Sequence, residues 1–135
     1  MTERPQEGAE VGARMPDGTI YAGNSPTTHL PIYAAPADAP TIMIFSKAEK
    51  YAKELKVGDK HDFHLPDKDE LQVLFENKEK GALKGTLNVT GSDTAGWYLS
   101  STPGNNTHAY GLRFSDGAQG FSFSLSHHSS VRCVR

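Results

Sequence analysis

The sequence predicts an α+β domain, with two helices in its middle and a mainly antiparallel sheet formed largely by its C-terminal strands. Two amphipathic segments, each preceded by a helix-capping pattern, predict the helices. Four short apolar runs with turn residues between them predict the C-terminal strands. Because helices and strands occupy separate parts of the chain, the pattern indicates α+β rather than alternating α/β.

The size and charge of the chain limit what it can be. Its 135 residues fit one domain, which we assign to residues 11–135, after a flexible polar arm at residues 1–10. A formal net charge of −2 argues against a nucleic-acid partner, and no apolar run is long enough for membrane insertion. The single cysteine excludes an intrachain disulfide. Residues 1–8 show no secretory signal, so we expect a cytoplasmic or virion-associated protein.

The first third of the chain is predicted to form a hairpin followed by a loop-rich connector. Pro16-Asp17-Gly18 is a turn sequence, and it joins a short run at residues 13–15 to another at residues 19–22. A further extended piece follows at residues 31–34. Four prolines between residues 24 and 40 disfavour a helix there.

Two capping boxes predict where the helices begin. Ser46 with Glu49 predicts a first helix over about residues 46–56, which Gly58 ends. Phe63 and Leu65 then alternate as a short strand. The second box pairs Asp67 with Glu70 and predicts a helix over about residues 68–78.

The C-terminal runs alternate with period two, which is typical of half-buried strands. They cover residues 97–101, 109–114, 120–125 and 130–135, and Asp116-Gly117 is a strong hairpin signal between the second and third. In the last run, one face carries Val131, Cys133 and Arg135, and the other carries Arg132 and Val134.

Three segments together resemble a known family. They are HDFHLPDKDELQVLF at residues 61–75, GWYLSST at 96–102 with YGLRFSDG at 110–117, and SVRCVR at 130–135. In this order they resemble the Lcl C-terminal domain family of bacterial and phage proteins, over about residues 12–135. Three residues depart from the family pattern: Phe63-His64 replaces its Trp-Arg, and Leu99 replaces the second large aromatic of its Trp strand.

The resemblance implies a C-type-lectin-like fold, and more distantly a likeness to the variable proteins of diversity-generating retroelements and to sulfatase-modifying enzymes. It also implies that Trp97 is a buried anchor. From the inward phase of the elements we expect one shared core, and we expect Cys133 to be a small buried hydrophobe. The core residues that we predict are Leu71, Leu74, Phe75, Trp97, Phe114 and Val131.

The residues do not predict an enzyme, a cofactor or a bound metal. The histidines at 61, 64, 127 and 128 match no zinc-ligand spacing, and no segment resembles a dedicated calcium loop. A Gly-x-Ser-x-Gly nucleophile motif is absent from the sequence. The oxidases on the same scaffold hold copper with two cysteines, whereas this chain has one.

Two polar loops of the terminal sheet are the predicted binding surface. Pro103–His108 and Ser126–Ser129 are rich in small polar residues and lie near tyrosines, as recognition surfaces often do, although ordinary hydrophilic turns share this composition. We expect a non-enzymatic module that presents these loops to a protein or glycan ligand. The alternative is a structural virion or assembly protein, a decoration or tail component, and either could form a homo-oligomer. The predicted ligand-binding residues are Tyr98, Asn105, Asn106, His108, Tyr110, His127 and His128.

Overall fold

The computed structural model describes residues 10–90, 96–105, 108–124 and 128–135, with the backbone alone at 103–105, 108 and 120–124. Two antiparallel sheets and two α-helices form an α+β domain, which confirms the predicted class. No helix in the described ranges is long and apolar enough to cross a membrane. The elements, in chain order, are β1 (Ile20–Asn24), β2 (Pro31–Ala34), α1 (Phe45–Glu54), α2 (Lys68–Glu76), a 3-10 turn (Gly81–Leu83), β3 (Trp97–Asn105), β4 (His108–Arg113) and β5 (Gln119–Ser124).

The larger sheet has the order β3-β4-β5, so three of the four predicted C-terminal strands are confirmed. Its second turn is the predicted one: the Gly117 N–H donates to the Arg113 carbonyl at 2.8 Å, and Gly117 has a φ of 79°. The first turn differs from the prediction, because β3 continues to Asn105 and β4 begins at His108. Most of the predicted Pro103–His108 loop is therefore the paired end of a hairpin.

The fourth predicted strand does not join the sheet as a strand. Residues 130–135 instead make isolated bridges to three different parts of the chain. Ser130 bridges Tyr98 of β3, while Val134 bridges both Ala34 of β2 and His64. The terminal segment thereby connects the two sheets, which a regular edge strand would not do.

The start of α2 follows the predicted capping box. The Asp67 carboxylate accepts the Glu70 N–H at 2.8 Å, and the Glu70 carboxylate accepts the Asp67 N–H at 3.0 Å. The Lys68 N–H donates to the Thr102 hydroxyl at 2.9 Å, which ties the helix to β3. Glu76 ends the helix two residues earlier than predicted.

The capping box predicted for α1 is wrong. The helix begins at Phe45, its N-cap is Ile44, and that position makes no side-chain capping bond. Met43 and Ser129 exchange two backbone hydrogen bonds of 2.9 Å just before the helix, and the Ala48 N–H donates to the Ile44 carbonyl at 2.9 Å. This long-range pairing places the first helical turn one residue ahead of the predicted Ser46 cap.

Apolar residues pack against both faces of the larger sheet, so it is not half-buried as predicted. One cluster joins this sheet to α2 and the smaller sheet; the other joins it to α1 and the terminal segment. The first cluster includes Ile20, Ile32, Leu71, Leu74, Tyr98, Leu112 and Phe114. The second includes Ala48, Ala52, Phe63, Leu99, Ala109, Val131 and Cys133.

This arrangement corrects the predicted single core at three residues. Val131 is buried, but in the second cluster, away from Leu71 and Phe114. Phe75 is only partly buried at the rim of the first cluster. Trp97 belongs to neither cluster and is half-buried, with the Arg113 guanidinium 5.4 Å from its ring centre. The neighbouring Tyr98, with no exposed surface, is the aromatic that β3 places in the core.

Candidate functional site

A buried polar network links the terminal segment to two distant loops. Its centre is Arg132, whose guanidinium is fully buried. The Nε atom donates to the Ala35 carbonyl at 2.7 Å, and Nη1 donates to Asp38 Oδ1 and to the Thr86 carbonyl, both at 3.0 Å. Nη2 donates to Thr86 Oγ1 at 2.9 Å. These four bonds occupy four of the five N–H donors of a charge that would otherwise be costly to bury.

Tyr98 extends this network, so its predicted role as a surface contact is wrong. Its hydroxyl donates to the Asp38 carboxylate and accepts the Asn88 N–H at 2.7 Å. Burial raises the pKa of the Tyr98 phenol, and burial also raises the pKa of Asp38 against the opposing effect of its Tyr98 and Arg132 bonds. The network contributes to holding the scaffold together and leaves ligand contact to exposed residues.

The exposed site next to this scaffold is a groove along α1, which we call the α1 groove. It has a volume of about 470 Å³ and is open to solvent. One wall is the segment that leads into α1, another is the outer face of α1 itself, and His128 closes one side. The lining residues are Thr41, Ile42, Met43, Ile44, Lys47, Lys50, Tyr51, Glu54 and His128.

The geometry of the α1 groove depends on pairing between distant segments. Met43 and Ser129 form an antiparallel bridge, and Ser129 is fully buried. His128 precedes this anchor and is exposed. On the helix, Ala48 and Ala52 are buried in the second cluster, which turns the opposite face of α1 toward solvent. The groove therefore rests on buried contacts on both sides.

The chemistry of the α1 groove is apolar with charged edges. Ile42, a large aliphatic side chain, is 38% exposed. Met43 and Tyr51 are partly buried beside it. Lys47 and Lys50 are exposed on the helix. Such a site can hold an apolar group and an anionic group at the same time.

Among the predicted ligand-binding residues that the structure describes, one lines this groove. His128 does, whereas Tyr110 lies half-buried in a separate cleft with Lys68, whose ammonium is 5.5 Å from the ring centre. Asn105 and His108 pair at the end of the β3–β4 hairpin. Asn106 and His127 fall outside the described residues.

The groove's other wall was not predicted from the sequence. It is formed by an apolar run at residues 41–45 that leads into the helix. A usable signal was present, because Lys47 and Lys50 are three residues apart and so share a helix face. The apolar residues immediately before them then indicate an amphipathic surface rather than a simple connector.

The described residues bear on two kinds of reactive centre, a metal site and a reactive cysteine. In the ranges that the structure describes, no three His, Cys, Asp or Glu side chains lie close enough to hold a metal ion. Cys133 is buried, and burial raises the pKa of its thiol to about 12. At neutral pH this cysteine is therefore a protonated thiol, the inert form rather than the nucleophilic one.

Comparison with known proteins places the chain in a family. No curated protein matches its sequence. A family model described as the Lcl C-terminal domain matches residues 14–135, close to the range over which the sequence motifs resemble that family. The chain belongs to the Lcl C-terminal domain family.

Proposed function

We propose that this protein is a non-enzymatic binding module that holds a protein or glycan ligand in the α1 groove. The observation that carries the proposal is the groove itself, with exposed Ile42 beside Lys47, Lys50 and His128. Ligand sites typically have volumes of about 300–1,000 Å³ and combine an apolar lining with a few polar groups. The α1 groove has this size and this composition.

The supports of the groove favour binding without rearrangement. α1 is anchored by Ala48 and Ala52, and the opposite side is anchored by the Met43–Ser129 bridge. A site that is already formed loses less conformational entropy when a ligand binds. Loops carried by such a scaffold are the usual location of recognition residues, and His128 lies within the Ser126–Ser129 loop that was predicted to display them.

The chemistry available in the groove favours binding over catalysis. Within the described part of the chain, Lys47, Lys50, Glu54 and His128 form no hydrogen bonds with one another. A nucleophile is normally activated by a base within hydrogen-bond reach. The C-type-lectin-like scaffold implied by the family resemblance is consistent with a display role.

A structural assembly protein, such as a virion decoration or tail component, is the second candidate. Three large apolar side chains are exposed in the described residues: Leu30 at 50%, Val89 at 41% and Ile42 at 38%. Exposed apolar groups favour contact with other proteins. Solution mass separates the two roles, since a fixed oligomer supports assembly and a monomer supports a free-standing module.

The binding proposal is tested with defined ligands. The purified chain is presented to a glycan panel and to a displayed library of random twelve-residue peptides. The groove variant combines Ile42→Ser with His128→Ala; its matched control combines Leu30→Ser with His61→Ala, which are also exposed. We expect the wild type and the control to retain a ligand that the groove variant loses, with equal melting temperatures. The proposal fails if the wild type retains no ligand, or if the groove variant binds as well as the control.

A further inference from the structure

The charge of the α1 groove differs from that of the chain. Lys47 and Lys50 contribute +2 and Glu54 contributes −1, a sum of +1, while the whole chain carries −2. Neither lysine forms an ion pair with any residue that the structure describes. The groove is thus electrostatically complementary to an anionic ligand.

The positively charged side chains of the groove bear on which anionic group a ligand would carry. Among the described residues, the lining contains lysines and no arginine. Arginine presents a planar fork that binds phosphate and related oxyanions with two parallel hydrogen bonds, whereas lysine acts as a point charge. Carboxylates placed along an extended chain can meet two separate point charges without a bidentate geometry. Carboxylate groups along a peptide are therefore compatible with the two lysines as the anionic part of the ligand.

The apolar lining indicates which uncharged group the ligand would carry. Ile42, Met43 and Ile44 present aliphatic surface, and Tyr51 adds an aromatic ring. Aliphatic side chains offer the hydroxyl groups of a sugar ring no hydrogen-bond partners. An aliphatic or aromatic side chain would instead remove the exposed surface of Ile42 from water.

We propose that the ligand of the α1 groove is a peptide segment in which carboxylate side chains flank an apolar side chain. This inference rests on the proposed binding function and specifies its partner. The carboxylates would lie beside Lys47 and Lys50, and the apolar side chain would contact Ile42. The affinity should fall as salt is raised, because both lysines are exposed and their attraction is screened.

The test uses the displayed twelve-residue peptide library and two charge-reversal variants. We expect selection on the wild type to enrich peptides that carry Asp or Glu beside Leu, Ile, Phe or Trp. Lys47→Glu with Lys50→Glu should weaken a selected peptide by about tenfold or more. The control, Lys53→Glu with Lys84→Glu, makes the same change of net charge at exposed positions outside the groove lining, and should change affinity by less than about twofold.

The outcomes separate this inference from the proposed function. Both proposals are supported if acidic-apolar peptides are enriched and only the Lys47→Glu, Lys50→Glu variant loses them. The wild type and both charge-reversal variants should then have equal melting temperatures. A glycan that binds at the groove when no peptide does overturns the inference and leaves the binding function standing. Selected peptides without acidic residues, or affinity that is the same in 50 mM and 500 mM salt, also overturn it. If neither the glycan panel nor the peptide library yields a ligand, both proposals fail.

Discussion

Arg132 and Asp38, 94 residues apart in the sequence, form an ion pair of 3.0 Å between Nη1 and Oδ1, and the arginine side chain has no exposed surface. The same guanidinium donates to Ala35 and Thr86. One side chain near the C-terminus therefore connects two loops from the middle of the chain. A buried charge of this kind is tolerated only when its partner and its hydrogen bonds are all present.

Removal of the Asp38 carboxylate tests this dependence. We expect Asp38→Ala to lower the free energy of unfolding by about 3–5 kcal/mol, because Arg132 would remain buried without a counter-charge. Adding Arg132→Met should recover part of the loss, since it removes the uncompensated charge. Urea denaturation measures both. Asp116→Ala removes an exposed partner of Arg113 and should leave the midpoint close to that of the wild type. An equal shift for both aspartate variants would contradict the assigned role of Asp38.

The hydroxyl of Tyr98 makes a second, smaller contribution to the same network. Tyr98→Phe keeps the ring in the core but leaves the Asn88 N–H without its partner and removes one hydrogen bond of the Asp38 carboxylate, which keeps its bond to Arg132, so we expect a loss of about 1–3 kcal/mol. Tyr21→Phe is the matched control, because it removes only an exposed bond to Asn24 and should cost less than about 0.5 kcal/mol. Thermal or urea unfolding would show the difference, and equal stabilities would rule out the buried bond.

The position of Trp97 can be read from its fluorescence. Trp97 is the single tryptophan and is half-buried, so we expect a red-shifted emission that a soluble quencher reduces. Trp97→Ala should cost about 1 kcal/mol, whereas Phe114→Ala, which empties a fully buried site, should cost about 3–5 kcal/mol. A blue-shifted emission that the quencher does not reduce, together with a large loss of stability on Trp97→Ala, would show that Trp97 is the buried anchor that the family resemblance implied.

The reactivity of Cys133 follows from its burial. Burial raises the pKa of its thiol to about 12, so at pH 8 almost no reactive thiolate is present in the native protein. We expect a thiol reagent to label the native chain only as slowly as the chain opens, and to label one thiol per chain at once in denaturant. Reducing agent should leave the melting temperature unchanged. Labelling of the native protein within seconds would show that the thiol is accessible.

Local patterns in the sequence determined the elements whose hydrogen bonds join near neighbours. Asp67 and Glu70 are three residues apart and bond each other, so the start of α2 was readable from the chain alone. The Asp116-Gly117 turn needs only the residues around it. The alternation in the terminal segment also held, since Val131 and Cys133 lie in one cluster and Val134 in the other. The same motifs pointed to the family.

Contacts between distant segments decided the rest. Tyr98 rather than Trp97 enters the core because α2 and the smaller sheet cover the Tyr98 face of β3. Helix α1 begins earlier than predicted because Met43 pairs with Ser129. The α1 groove unites residues 41–54 with His128, and Arg132 finds Asp38 across 94 positions. Periodicity shows which side chains share a face of one element. It does not show which other element will cover that face, and the tertiary structure alone answers that.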